Sequence, residues 1–595
     1  MGNLQDLLRE VDEILNTSKD DSGGDSGPAV PENYQPTDDE ILNNLSKYFS
    51  YSEFREGQRE IIEAILSGEN VFAVFPTGHG KSLCYQLPAL MLSGLTVVVS
   101  PLISLMKDQV DTLRSRGITS VSLLNSSQTW DEYRHEITRL KQGKIKLLYV
   151  SPEKLRSRRF LDLLNTVLIS LFVIDEAHCI SQWGRDFRPA YLSICDAINT
   201  LYPKTIALFT ATAPPDIRED ILSVLDIPEP KVLIQGIERN NLRLAVHESK
   251  KKDGKYDLLD AYIGSLTGKG IIYAGRRVET EEISTYLKDY NIRADYYHAG
   301  REPDERSYIQ DAFFDDSDNG LDVVVATNAF GMGIDKANIR YIIHWTMTGT
   351  LEEYCQEFGR AGRDGENSDC LLFYYHDDRK LHEYFIRESS PDKPALLKLL
   401  KELEQYKGVD GYRMMAMDEL EWKTGIKEAK IRVCLSYLEK LGFLKRWFNV
   451  PSRFSVRLRH DANAEQTANP ELFSQLQRYQ TTDLLTFSQS INLNPRIVME
   501  QLTEIQSEGH LQYWGQDDLM LIQLLMDSEL FESLSEEQMG FGDYVKTRKR
   551  RIDRMVYYAS SMDCRMKVIR EYFGENVAKD YQCGTCDRCE NKVVE

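Results

Sequence analysis

At 595 residues the chain is too long for one hydrophobic core, and ordinary domain sizes predict roughly three to five folded units. With 42% apolar and 28% charged residues, wholesale disorder is excluded. No apolar run nears the roughly 20 residues that cross a bilayer, and the acidic start MGNLQDLLREVDE lacks the positive charge of a signal peptide; no membrane partner and a cytoplasmic location are therefore expected. A net charge of −21 argues against a uniformly basic nucleic-acid binder but leaves room for a local positive groove.

In chain order, Leu4, Leu7, Leu8, Val11, Ile14 and Leu15 recur at helical intervals before NTSKDDSGGDSGPAVPE breaks every pattern, which predicts a short amphipathic helix and flexible linker over 1–35. Docking onto the chain's own surface and recruitment of a partner both remain open for it. From 36 to 235 the short β-branched runs VFAVF, LTVVVS, IKLLYV, LFVIDE and TIALFTAT alternate with helical patterns. GIIYAG, ADYYHAG, LDVVVATN and IRYIIHW repeat the alternation over 236–380. Two tandem α/β lobes with parallel sheets follow.

Beyond 380 helical patterns dominate. Ile431, Leu435, Leu438, Gly442, Leu444 and Trp447 are matched by Val498, Leu502, Ile505, Gly509, Leu511 and Trp514, each set describing a helix that ends at glycine and runs into a strand. This predicts winged-helix-like units over 381–465 and 466–540, with a hairpin after Trp447; another helical packing is the alternative. Residues 541–595 form a last, zinc-binding helical module. Of ten cysteines, Cys84, Cys179, Cys195, Cys355, Cys370 and Cys434 stand alone in apolar or helical contexts and read as packing residues.

Three motifs carry phosphate chemistry. VFAVFPTGHGKS joins a strand to a helix through a glycine-bearing turn, so that Thr77, Gly78 and Gly80 offer backbone N–H groups to phosphates, Lys81 reaches the β/γ-phosphates and the Ser82 hydroxyl holds Mg²⁺. LFVIDEAH delivers Asp175, Glu176 and His178 at the C-terminal end of a buried strand. Asp175 is suited to hold Mg²⁺ through water, and Glu176 to orient and deprotonate the attacking water. QEFGRAGRDG puts Arg360 and Arg363 three apart on one helical face of the second lobe, where they can meet the γ-phosphate of ATP when a cleft between the lobes closes. Near the C-terminus Cys564, Cys583, Cys586 and Cys589 suit a tetrahedral structural Zn²⁺ with no open position. The run KTRKRR, including Lys546, Arg548, Lys549, Arg550 and Arg551, either lines a DNA path or forms a solvated helix face.

With these residues in view, the chain resembles superfamily-two helicases and, in detail, the RecQ family, over 40–380 and again over 546–590. The resemblance implies two RecA-like lobes, ATP-driven unwinding of DNA with 3′ to 5′ polarity, and roles in repair or recombination. FREGQREII looks like the adenine-reading segment, with Phe54, Arg55 and Gln58. SPLISLMKDQV, YVSPEKL, FTATA and VVVATNAFGMGIDKANIR look like segments that grip one strand and relay nucleotide state, with Thr210, Thr212 and Asp335 coupling alongside His178. HCISQWGRDFRPAY resembles the RecQ aromatic-rich loop, in which Trp183, Arg185 and Phe187 contact single-stranded DNA; stacking there is worth about 1–3 kcal/mol per base. The implied partner is a single-stranded tail at a duplex junction. One departure stands out, because RecQ proteins usually place the zinc module directly after the second lobe, whereas here the winged-helix candidates intervene.

Overall fold

The computed structural model describes residues 36–590 except 76–79, 102, 125–129, 153, 157, 182–190, 192, 228–229, 235–237, 265–266, 332–333, 335, 448, 460–466, 468–469, 477–480, 508–509, 536–538 and 540. The N-terminal helix and linker expected over 1–35 lie outside the described residues, as do Thr77, Gly78, Trp183, Arg185, Phe187, Asp335 and Gly509.

Seven short strands build the first lobe: β1 (Val71–Val74), β2 (Leu95–Val99), β3 (Val121–Leu124), β4 (Leu147–Val150), β5 (Ile169–Ile174), β6 (Ile206–Thr210) and β7 (Lys231–Ile234). They lie in the order β3-β4-β2-β5-β6-β1-β7, and every pairing is parallel. The strands read as unbroken apolar runs because both faces are covered. Phe72, Val74, Val97 and Val99 enter one buried layer, while Val71, Ala73 and Val98 enter the other. β8 (Leu242–Glu248), β9 (Lys269–Tyr273), β10 (Ala294–Tyr297), β11 (Val323–Ala326), β12 (Ile339–His344) and β13 (Ser368–Tyr374) form the parallel sheet of the second lobe, ordered β10-β11-β9-β12-β13-β8. Motifs that follow strand ends therefore gather along one edge of each sheet.

The third unit is built on β14 (Gly408–Val409), β15 (Tyr412–Met415), β16 (Leu444–Arg446), β17 (Val450–Leu458), β18 (Thr481–Asp483) and the 14-residue β19 (Leu511–Leu524). The two helix-to-strand units read from the sequence are present, as Glu428–Lys440 running into β16 and Pro495–Ser507 running into β19. Among the described residues the hairpin expected after Trp447 is not formed. β16 and β17 both pair with β19, which takes β17 along Leu511–Leu519 and β15 and β16 along its remaining residues. A long strand offers more ladder hydrogen bonds than the three residues of β16, so the non-local pairing wins. Leu521 and Ile522 point from this one strand into two separate cores. The two helix-to-strand units thus share a strand.

The zinc-module helices Phe541–Ser560 and Arg565–Tyr572 return to the second lobe despite the intervening sequence. Met555, Tyr558, Ile569 and Phe573 are buried in the same core as Tyr273, Ile342, Tyr354 and Phe358. Fully burying each such side chain stabilises the docking by about 1.5–3 kcal/mol. No helix among the described residues is long and apolar enough to cross a membrane. Cys84, Cys179, Cys370 and Cys434 are buried, and Cys195 and Cys355 are half-buried.

Candidate nucleotide cleft and zinc centre

The phosphate loop follows β1. Gly80 has φ +83°, and a Cβ there would lie 2.5 Å from Gln58 Nε2, so only glycine lets residue 80 and Gln58 meet. Gln58 is buried; its Nε2 donates to the Gly80 carbonyl (3.3 Å), and its Oε1 accepts from the Arg55 N–H (2.9 Å). Phe54 packs, half-buried, against the first-lobe core, and Arg55 is exposed. Ser82 stands directly before the helix Leu83–Met91, with Lys81 in the turn ahead of it.

Lys81 Nζ lies 3.4 Å from Glu176 Oε1, joining the residues beyond β1 and β5. Glu176 adopts the left-handed conformation, φ +51°. Burial opposes its charge, but the Lys81 ammonium and His178 outweigh that and hold its carboxyl well below the usual carboxylate range. Asp175 is pushed up to about 6 by burial and by the neighbouring Glu176 charge. His178 Nδ1 sits 3.3 Å from Glu176 Oε2 and 3.0 Å from Thr210 Oγ1. The Thr210 hydroxyl donates to the Thr212 carbonyl (3.3 Å), and Gln356 Nε2 of the second lobe donates to Thr212 Oγ1 (2.9 Å). A contiguous polar relay thus runs from Lys81 to the other lobe. Thr210 and Thr212 are buried inside it.

Arg360 and Arg363 are not on a helical face. The helix Leu351–Phe358 is capped by Gly359, and both arginines stand in the turn beyond it, where Gly362 (φ +55°) and Gly365 (φ +90°) take conformations that end a helix. Arg360 lies against Gly331 and beside Tyr273. Sequence reasoning missed Gln356, although it opens the motif that carries these arginines. It also missed Arg239 and Asn241, whose signal was only a polar pair of residues at the break between lobes.

At the other end, the Sγ atoms of Cys564, Cys583, Cys586 and Cys589 all lie within 4.8 Å of one another. Sulfur–sulfur edges of 3.5 Å (Cys586–Cys589), 3.9 Å (Cys586–Cys564) and 4.0 Å (Cys583–Cys589) match the roughly 3.8 Å S–S edge of a tetrahedron with Zn–S bonds near 2.3 Å. The donor set therefore fits zinc. Cys564 caps the helix Arg565–Tyr572, and Cys589 stands in the short helix Asp587–Glu590. Arg565 is fully buried: its guanidinium meets both Asp587 oxygens at 2.9 Å and donates to the Ser561 carbonyl at 3.2 Å, while its backbone N–H meets Cys586 Sγ at 3.4 Å. The basic run divides. Arg550 stays exposed, near Asp216 of the first lobe (3.4 Å), whereas Arg551 is buried between Asp216 (3.6 Å) and Glu352 of the second lobe (4.0 Å).

Comparison with known proteins places three family matches along the chain: DEAD/DEAH box helicase over 55–220, helicase conserved C-terminal domain over 254–365 and RecQ zinc-binding over 517–590. The ATP-dependent DNA helicase RecQ of Bacillus subtilis is 41% identical over 367 residues, covering 61% of this chain and 61% of that protein. The chain therefore spans about three fifths of that relative's length. The probable ATP-dependent DNA helicase RecS of the same organism is 39% identical over 397 residues, covering 66% of this chain and 79% of that protein. A solved structure of Mycobacterium smegmatis helicase Lhr bound to ssDNA and AMP-PNP aligns over 67% of this chain and 56% of its own, at 19% identity and TM-score 0.43.

Proposed function

The chain belongs to the RecQ family of helicases, and from that premise we propose that it is an ATP-dependent DNA helicase with 3′ to 5′ polarity, acting at junctions of single-stranded tail and duplex in repair or recombination. The observation that carries the reading is the relay from Lys81 through Glu176, His178, Thr210 and Thr212 to Gln356, because it lets the state of a triphosphate be felt across the lobes.

The proposed mechanism starts from the Lys81–Glu176 pair. When ATP enters, Lys81 turns to the β/γ-phosphates and Glu176 loses the charge that depresses its basicity. Glu176 then becomes the base that orients and deprotonates water. Gln58 reads the adenine edge, and Gly80 with Thr77 and Gly78 cradles phosphate. Mg²⁺ bound by Ser82 and Asp175 would supply charge neutralisation at the phosphates. Arg360 and Arg363 complete the site as the lobes close. Trp183, Arg185 and Phe187 are assigned to single-stranded DNA, with Asp335 in coupling. Zinc held by the four thiolates would tie the C-terminal helices to one another, with no part in the chemistry. Stacking averages about 1.4 kcal/mol per base-pair step, so one hydrolysis per step is ample to drive separation.

The experiment is ATP hydrolysis with DNA or RNA, and strand separation on 3′- and 5′-tailed duplexes, with Trp183→Ala alongside. DNA-selective stimulation lost in W183A, and unwinding from 3′ tails, are expected. Equal stimulation by RNA overturns the assignment.

A further inference from the structure

The turn that carries Arg360 and Arg363 is gripped from outside its own motif. Arg239, at the start of the second lobe where the chain arrives from β7, donates through Nη1 to the Gly359 carbonyl (3.2 Å) and through Nη2 to the Gly362 carbonyl. Asn241 Nδ2 donates to the same Gly362 carbonyl (2.8 Å) and to that of Glu366 (2.9 Å). Those two glycines bracket Arg360, and Gly362 immediately precedes Arg363. The fit is tight, since a Cβ on Gly362 would lie 2.5 Å from Asn241 Nδ2.

Arg239 makes no ion pair with any described residue in return for its half-buried charge. Burial, together with the like charges of Arg363 and of Arg55 in the first lobe, lowers its guanidinium below the usual arginine value. An arginine spent on two backbone carbonyls, close to two other arginines where the lobes meet, is costly for stability alone. It makes sense where the gripped turn must be held rigidly to the connection between the lobes. Resting on the function proposed above, we propose that Arg239 is a positioning residue for ATP hydrolysis: it ties the arginine-bearing turn to the interlobe connection, so that Arg360 and Arg363 swing into the cleft as one body with the second lobe. The planar fork matters, because one guanidinium spans two carbonyls that a lysine ammonium cannot hold in the same plane.

The test uses the full chain, with Arg239→Met and Arg239→Lys, measuring DNA-stimulated kcat, equilibrium binding of ATP and thermal unfolding. Misplacing the turn lowers kcat about tenfold or more in both variants, with ATP affinity changed less than about threefold and the unfolding midpoint near that of the wild type. Full restoration of kcat by R239K, a loss confined to ATP affinity, or wild-type kcat in both variants overturns the inference. If R239M does not fold, Asn241→Ala decides: a kcat loss above threefold with ATP binding intact supports the grip, and wild-type kcat refutes it. A wild-type chain that fails to hydrolyse ATP with DNA present refutes the helicase reading instead, which keeps the two failures apart.

Discussion

Replacing Arg565 with methionine puts an apolar side chain of similar length into a fully buried position and leaves the Asp587 carboxylate without its counter-charge, held only in part by the Val246 backbone N–H (3.3 Å). The loss comprises a two-pronged pair with both Asp587 oxygens at 2.9 Å and donation to the Ser561 carbonyl at 3.2 Å. Breaking one side of such a buried pair costs about 3–5 kcal/mol, most of it the orphaned carboxylate. At roughly 2–4 °C per kcal/mol for a unit of 150–250 residues, the transition containing the second lobe and zinc module falls by about 6–20 °C. Calorimetry of the full chain measures the shift, and zinc release to a chromogenic chelator reports whether the cluster loosens, as expected because the lost pair anchors Asp587, the residue directly after Cys586. Arg565→Met combined with Asp587→Asn, which orphans no charge, recovers at least half of the loss. An R565M protein that melts within 2 °C of the wild type and releases zinc at the same rate refutes the claim that this pair fastens the metal module.

Gly80→Ala forces a side chain onto Gln58 Nε2 and into a left-handed backbone costing about 1–2 kcal/mol, so the KM for ATP rises about five- to thirtyfold in steady-state hydrolysis assays while the fold persists. Gln356→Ala deletes one neutral hydrogen bond across the lobes, about 1 kcal/mol; DNA-stimulated kcat falls about fivefold, and filter-binding measurements show ATP affinity unchanged. Glu176→Gln retains ATP binding but loses hydrolysis by at least about a hundredfold, read in single-turnover assays.

The two lobes are legible because parallel strands covered on both faces, such as β1 and β5, appear as unbroken apolar runs between helical patterns. Gly80, Lys81, Glu176 and the cysteine quartet are legible because backbone geometry and ligand chemistry restrict residue type at fixed spacing. The pairing of β17 with β19 is not, since partners some sixty residues apart share no local pattern. Arg551 is likewise hidden within KTRKRR: a basic run cannot disclose that one of its members turns inward between Asp216 and Glu352 while Arg550 faces solvent. The glycines around Arg360 and Arg363 terminate the helix on which their spacing of three would place those arginines. Arg239 escapes because its partners are carbonyls, which leave no mark on side-chain identity.

In the proposed mechanism a triphosphate draws the two lobes together. Fluorophores carried by encoded azide side chains at Tyr202 in the first lobe and Tyr308 in the second, 84% and 70% exposed, report the distance between lobes by energy transfer. A non-hydrolysable ATP analogue, added with a single-stranded DNA oligonucleotide, should shift transfer efficiency in the wild-type chain and leave it unchanged in Lys81→Ala. An efficiency indifferent to the analogue in the wild type, while calorimetry shows the analogue bound, contradicts the account.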